Sequence, residues 1–210
     1  MVVTDTRTSI LDAARLRLLA DGYAGLSTRK VADQAEVPLS QLHYHFGSKQ
    51  GLILALLEEE NRRRLERQTQ MYAQDEPLWR RYETACEYLE DDLDSGYVRV
   101  LQEMIAAGWS NSDIGDAVRQ LLGGWCQLLT EVAREAEDRY GSLGPFPADE
   151  AAALIVSAFM GSEALLLLGF DRRLLPIRSA LRRISVVIRQ LEEASASPRR
   201  VDNARVPAGQ

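Results

Sequence analysis

Residues 26–49 read Leu-Ser-Thr-Arg-Lys-Val-Ala-Asp-Gln-Ala-Glu-Val-Pro-Leu-Ser-Gln-Leu-His-Tyr-His-Phe-Gly-Ser-Lys. The pattern predicts two short helices joined by a tight turn. Ser27 or Thr28 can cap the first, which runs to about Ala35 with Val31 and Ala32 inward. The turn falls at Glu36-Val37. The second runs from Leu39 to about His45, with Leu42 and Phe46, four residues apart, facing inward. Leu39, Ser40, Gln41, His43 and Tyr44 are then left on its free side. A short helix carrying polar and aromatic groups on an open face suits the major groove of DNA.

Working outward, residues 7–21 form a first helix, because Ile10, Ala14 and Leu18 recur at i, i+4, i+8. Gly22 stops it. Ser48 caps a long helix from Lys49 to about Tyr72. Five more helices are expected near 77–94, 96–108, 113–140, 148–170 and 174–194, separated by Gly-, Pro- and Ser-rich breaks. The chain is therefore all-α, with about nine helices. Residues 7–50 make a three-helix head, residues 51–194 a larger body, and 195–210 a disordered tail.

Composition narrows the function. The chain has 210 residues, 46% of them hydrophobic, and a net charge of −6. Residues 1–50 hold six Arg/Lys against five Asp/Glu, and residues 51–210 hold nineteen against twenty-six. A near-neutral head on an acidic body touches DNA only through a few placed cations, and the body repels it elsewhere. Cys86 and Cys126 read as reduced thiols. The N-terminus carries no apolar leader, so a cytoplasmic location is expected.

The 151–170 stretch is apolar almost all round and long enough for a bilayer. Glu163 near its middle argues against lipid, where an ionisable group is costly. A helix apolar on every face needs protein on every face. We therefore expect a second subunit on it, through Leu154, Ala158, Gly161 and Leu165, joined by Leu181, Ile184 and Ile188 of the next helix. The alternative is that both helices fill one large core.

No catalytic set stands out. Ser27-Thr28-Arg29-Lys30 spells Ser-x-x-Lys without its partner motifs. His43 and His45, two apart on a helix, make a poor metal pair. No catalytic residue, metal or cofactor is expected.

Residues 7–54 resemble the N-terminal domain of the TetR family of transcriptional regulators. The likeness is carried by Ile10-Leu11-Asp12-Ala13-Ala14, Gly22-Tyr23, Leu26-Ser27-Thr28-Arg29-Lys30-Val31-Ala32 and Leu42-His43-Tyr44-His45-Phe46-Gly47-Ser48-Lys49. Three positions depart from the family pattern: Glu36 where Gly is common, Pro38 where a capping Ser is common, and His43 where Tyr is usual. The resemblance implies a homodimer on a palindromic double-stranded operator, with half-site centres about one DNA turn apart. It also implies a C-terminal domain that releases DNA on binding a small-molecule effector.

Physical roles can be assigned residue by residue. The Arg29 fork can grip guanine O6 and N7, or else a phosphate or a surface carboxylate. Ser27 and Thr28 can donate to a phosphate. Gln41 can pair with adenine, and Leu39 can touch a thymine methyl. His43, Tyr44 and His45 can reach phosphate oxygens. Lys49, at the start of the long helix, suits one phosphate. In the body, Trp79, Tyr82, Met104, Trp109, Leu122, Trp125, Leu129 and Phe159 are candidates for an effector pocket, with core packing as the competing role. Gly123-Gly124 inside a long helix marks either a kink or a close neighbour.

Overall fold

In the computed structural model, residues 5–141 and 145–196 are described. They contain nine α-helices and no strand: α1 (Thr6–Gly25), α2 (Thr28–Gln34), α3 (Leu39–Phe46), α4 (Lys49–Tyr72), α5 (Leu78–Asp94), α6 (Tyr97–Gly108), α7 (Ser112–Tyr140), α8 (Ala148–Leu167) and α9 (Ile177–Ala196). The boundaries follow from local chemistry. Gly22, at φ 69°, ψ 173°, breaks α1 as a stop residue, and the chain resumes for one further turn to Gly25. The Ser48 hydroxyl accepts the Gly51 N–H at 3.0 Å and starts α4. Asn111 does the same for α7, accepting from the Asp113 and Ile114 N–H groups.

Two ends differ from expectation. Helix α8 stops at Leu167 rather than near 170, because Gly169 takes φ 71°. Helix α9 starts at Ile177, immediately after Pro176, and runs through 195–196 instead of ending at 194. The rest of the expected disordered tail, 197–210, lies outside the described residues.

Ile10, Ala14, Leu18, Val31 and Leu42 are buried at the centre of the head. Leu52, Ile53, Leu56 and Leu57 on α4 continue the same cluster into the body, where Leu101, Met104 and Ile114 join it. The head is thus not a loose bead on a linker. Polar contacts reinforce the seam. Arg15 donates to the Ser95 carbonyl at 2.6 Å, the Tyr23 N–H donates to Glu103 at 3.0 Å, and Gln50 donates to Asp113 at 2.8 Å. Gly96, at φ 79°, lets the α5–α6 turn press on Leu19, whose Cδ2 lies 2.6 Å from where a Cβ would sit.

Helix α7 packs on both α4 and α8 and carries no non-helical residue, so Gly123-Gly124 is not a kink. The close-neighbour reading holds for Gly124, where an added Cβ would lie 3.2 Å from Leu65 Cδ2 of α4, whereas Gly123 faces open space.

Helix α8 is the one described helix long and apolar enough to cross a membrane, yet only 11% of its apolar window is buried within the chain. Its inner side packs on α7, and Glu163 points inward, 7% exposed.

Candidate functional site

The head presents α3 as a ridge. Leu42 is fully buried beneath it, so the helix cannot roll. Ser40, Gln41, His43 and Tyr44 stand exposed on the outer side, Leu39 and His45 are half-buried, and the Tyr44 ring is 82% exposed. Tyr44 therefore does no inward packing; its ring sits edge-on to His45 at 5.2 Å. His43 Nδ1 donates to the Gly47 carbonyl at 3.1 Å, which leaves Nε2 pointing outward. Arg29 is exposed on α2 beside this ridge, with no carboxylate paired to it among the described residues.

Two expected details differ. Neither Ser27 nor Thr28 caps α2 through its side chain, so both hydroxyls stay uncommitted to that helix. Lys49 Nζ donates to the Tyr23 carbonyl at 2.7 Å and lies 4.7 Å from the Tyr23 ring centre, tying α4 back to the end of α1. An ammonium has three donors, so two remain for a phosphate.

Glu36, in the turn, is the only non-glycine with positive φ among the described residues, at 54°. The strain expected where the family carries Gly is therefore present. Gly51 was not singled out from sequence. A Cβ there would meet the Phe46 carbonyl oxygen at 2.2 Å, so only glycine lets α4 start this close to α3.

The body holds a cavity of about 80 Å³ between α4, α5, α6, α7 and α8. Leu122, Trp125, Leu129 and Phe159 of the expected pocket residues line it, as do Gln68, Tyr72, Asp92, Tyr97 and Glu163. Trp125 Nε1 donates to Asn61 at 2.8 Å, which fixes the indole. Glu163 accepts one hydrogen bond, from Gln102 at 3.2 Å, and burial pushes its carboxyl up to about 7. The Gln68 carbonyl oxygen and the Tyr97 hydroxyl have no protein partner among the described residues. Asp92 differs, since Arg64 and Arg67 each hold it at 3.0 Å.

Four expected pocket residues lie elsewhere. Met104 is fully buried in the main core and does not line the cavity. Trp109, just past the end of α6, is 84% exposed. Trp79 has the Arg80 and Arg189 guanidiniums 5.1 and 5.3 Å from its ring centre. Tyr82 borders a second, more apolar hollow of about 190 Å³ against α9. That hollow shares Tyr72, Leu129 and Ile155 with the first. Both cysteines are free, and burial pushes the Cys86 thiol up to about 11, a poor nucleophile.

Residues 10–56 match the model for bacterial regulatory proteins of the tetR family. The head is a TetR-family domain. No curated protein matches the chain significantly. The TetR-like fold extends over the whole described molecule, as solved structures show. The reduced form of NemR from Escherichia coli aligns with TM-score 0.72 and 19% identity, covering 89% of this chain and 96% of that one. FadR from Bacillus subtilis, in complex with stearoyl-CoA, gives 0.70 and 15%, covering 90% and 98%. A transcriptional regulator from Saccharomonospora viridis, in complex with choline, gives 0.71 and 19%, covering 88% and 95%.

On this TetR-like body the candidate subunit contacts separate into two groups. Leu154 (53% exposed), Ala158 and Gly161 open outward on α8, and Leu165 is half-buried. Leu181, Ile184 and Ile188 do not form an outward face: Leu181 is 5% exposed, and all three pack inward, where α9 meets α5. Their i, i+3, i+7 stripe is the helix's own core stripe. The apolar residues that α9 presents outward are Val186 and Val187, 52% and 55% exposed.

Proposed function

We propose that this chain is a dimeric transcriptional repressor that leaves a palindromic operator when a small amphipathic effector enters its body. In this reading residues 7–50 read DNA and residues 51–194 bind the effector and pair the subunits. The observation that carries it is the conjunction of a rigidly buttressed, polar, exposed α3 with a partly polar cavity in a body sharing one continuous core with the head. Gln41 and Arg29 are assigned to base edges. Ser27, Thr28, Ser40, His43, Tyr44, His45 and Lys49 are assigned to phosphates, and Leu39 to a thymine methyl.

The exposed apolar side of α8, with Val186 and Val187 of α9, is too large to leave in water and suits a second copy through a two-fold axis. The chain is taken as a cytoplasmic protein with no catalytic role. The stearoyl-CoA and choline complexes of the two structural neighbours support a ligand-sensing body without naming this ligand.

The test is selection of bound duplexes from a random library, followed by anisotropy titration at several salt concentrations. A palindromic site, and affinity falling steeply with salt, is the expected result. A monomer in light scattering that selects no sequence would end this reading. An effector-independent activator is the second reading, and thermal-shift screening separates the two: a ligand that stabilises the protein and weakens operator binding favours the sensor.

A further inference from the structure

We propose that the body cavity is a receptor for an organic ammonium ion with an apolar tail, its head group paired with Glu163. This deepens the sensor reading and rests on it. Three observations point the same way. First, every ionisable side chain lining the cavity is an acid or a phenol; among the described residues no Lys, Arg or His lines it. Second, the carboxylates are unequally served. Asp92 on α5 is held by Arg64 and Arg67 of α4, while Glu163 on α8 receives only the Gln102 amide from α6. A buried carboxylate with one neutral donor lacks the cation that normally accompanies it. Third, the Gln68 carbonyl, on a side chain 6% exposed, has no protein donor. The vacant polar capacity on these two walls is for donors. A ligand ammonium supplies both a charge and several N–H groups.

The surroundings fit the rest of such a molecule. Trp125, Tyr72 and Phe159 line it with aromatic rings, whose quadrupoles attract a cation over their faces. An anion would meet the Glu163 carboxylate and these same rings, and the nearby guanidiniums of Arg64 and Arg67 are already committed to Asp92. The first hollow, about 80 Å³, holds a head group only. The second, about 190 Å³, is bordered by Leu78, Val132, Ile184 and Ile188 and shares the side chains of Tyr72, Leu129 and Ile155 with the first, so an alkyl or aryl tail enters it by turning those side chains aside. Glu163 sits with a carboxyl raised by burial to about 7, and a bound cation draws it to the ionised form.

The experiment is isothermal titration of the full chain at pH 8 with hexylammonium, hexanol and hexanoate, three molecules of nearly one shape and three charges. Hexylammonium is expected to bind at least about tenfold tighter than hexanol, and hexanoate more weakly than either. Glu163→Gln should bring hexylammonium down to the level of hexanol while leaving hexanol binding intact, which also shows that the cavity still folds. Affinity should rise by about three- to fourfold per methylene from butyl- to octylammonium.

Hexanoate binding as tightly as hexylammonium would overturn the proposal, as would an undiminished ammonium preference in Glu163→Gln. A flat chain-length series would overturn the joined hollows. Operator binding measured alongside separates the two readings. Ammonium binding without any change in DNA affinity removes the sensor and keeps the site. Release of DNA by the neutral or anionic probe alone keeps the sensor and removes the site.

Discussion

Alanine substituted at two helical glycines should move stability in opposite directions. At Gly123 nothing lies within 4 Å of the new Cβ. The only effects are the better helix propensity and the stiffer unfolded chain, a gain of about 1 kcal/mol. At Gly51 the same gain meets a steric obstacle. The added carbon lands 2.2 Å from the Phe46 carbonyl oxygen. That oxygen cannot step aside freely, because it also accepts the Ser48 N–H at 2.7 Å. Relief demands a shift of roughly 1 Å between the end of α3 and the start of α4, an overpacking cost of about 1–3 kcal/mol. The shift also strains the Ser48 cap, worth about 1 kcal/mol.

The expected net change at Gly51 is a loss of about 2 kcal/mol. For a chain of this size that corresponds to a melting point lower by roughly 4–8 °C, against a rise of roughly 2–4 °C for Gly123→Ala. Urea denaturation followed by circular dichroism reads both variants, and anisotropy on a selected duplex should show weakened DNA binding only for Gly51→Ala. Equal stabilisation by the two substitutions would refute the reasoning, because it would mean that the α3–α4 approach constrains nothing.

Glu36→Gly should stabilise the head by about 1 kcal/mol, since relief of the left-handed strain exceeds the entropy glycine adds to the unfolded chain; a lower urea midpoint would contradict this. Burial raises the Glu163 carboxyl above its ordinary value, so the folded state holds that proton more tightly than the unfolded chain. The sign is then fixed: the protein is favoured below about pH 4.5 and loses that share as pH rises to about 7. Glu163→Gln should therefore be more stable than the parent at pH 8, by at most roughly 3 kcal/mol, with the difference fading toward pH 4.5; parallel stability–pH curves for the two proteins would count against it. Arg29→Ala should weaken operator binding by about 1–3 kcal/mol and relax preference at one base pair. A uniform loss across all duplexes, with a shallower salt slope, would instead make Arg29 a phosphate contact.

Much of the architecture was legible because helices announce themselves locally. The Ile10, Ala14, Leu18 spacing, the Ser48 cap and the Gly22 stop each act within a few residues, and the structure uses all three. What a stripe packs against is not local. Leu181, Ile184 and Ile188 gave a correct helix face, and within the chain that face meets α5, because periodicity shows that one side is covered without showing by what. Aromatic content is no guide to the wall: Trp109 and Trp79 are as large as Trp125, but Trp109 follows the end of α6 into solvent and Trp79 stands against arginines. The cavity's polar lining had one visible signal, Glu163 alone in an apolar run. Gln68, Tyr72 and Tyr97 had none, since each needs the crossing of α4, α5 and α6 to bring it to the wall. Gly51 was illegible because its constraint comes from a carbonyl five residues earlier, across a turn.

The contacts that Arg15, Leu19, Tyr23 and Gln50 make with Ser95, Gly96, Glu103 and Asp113 give the two ends of the molecule a keyed joint. A chimera that transplants only the groove-reading helices, and keeps α1 and the first turn of α4, inherits that joint intact. One that splices a foreign head at residue 50 loses every tooth of the key on one side, and its groove-reading end is no longer held in register with the body.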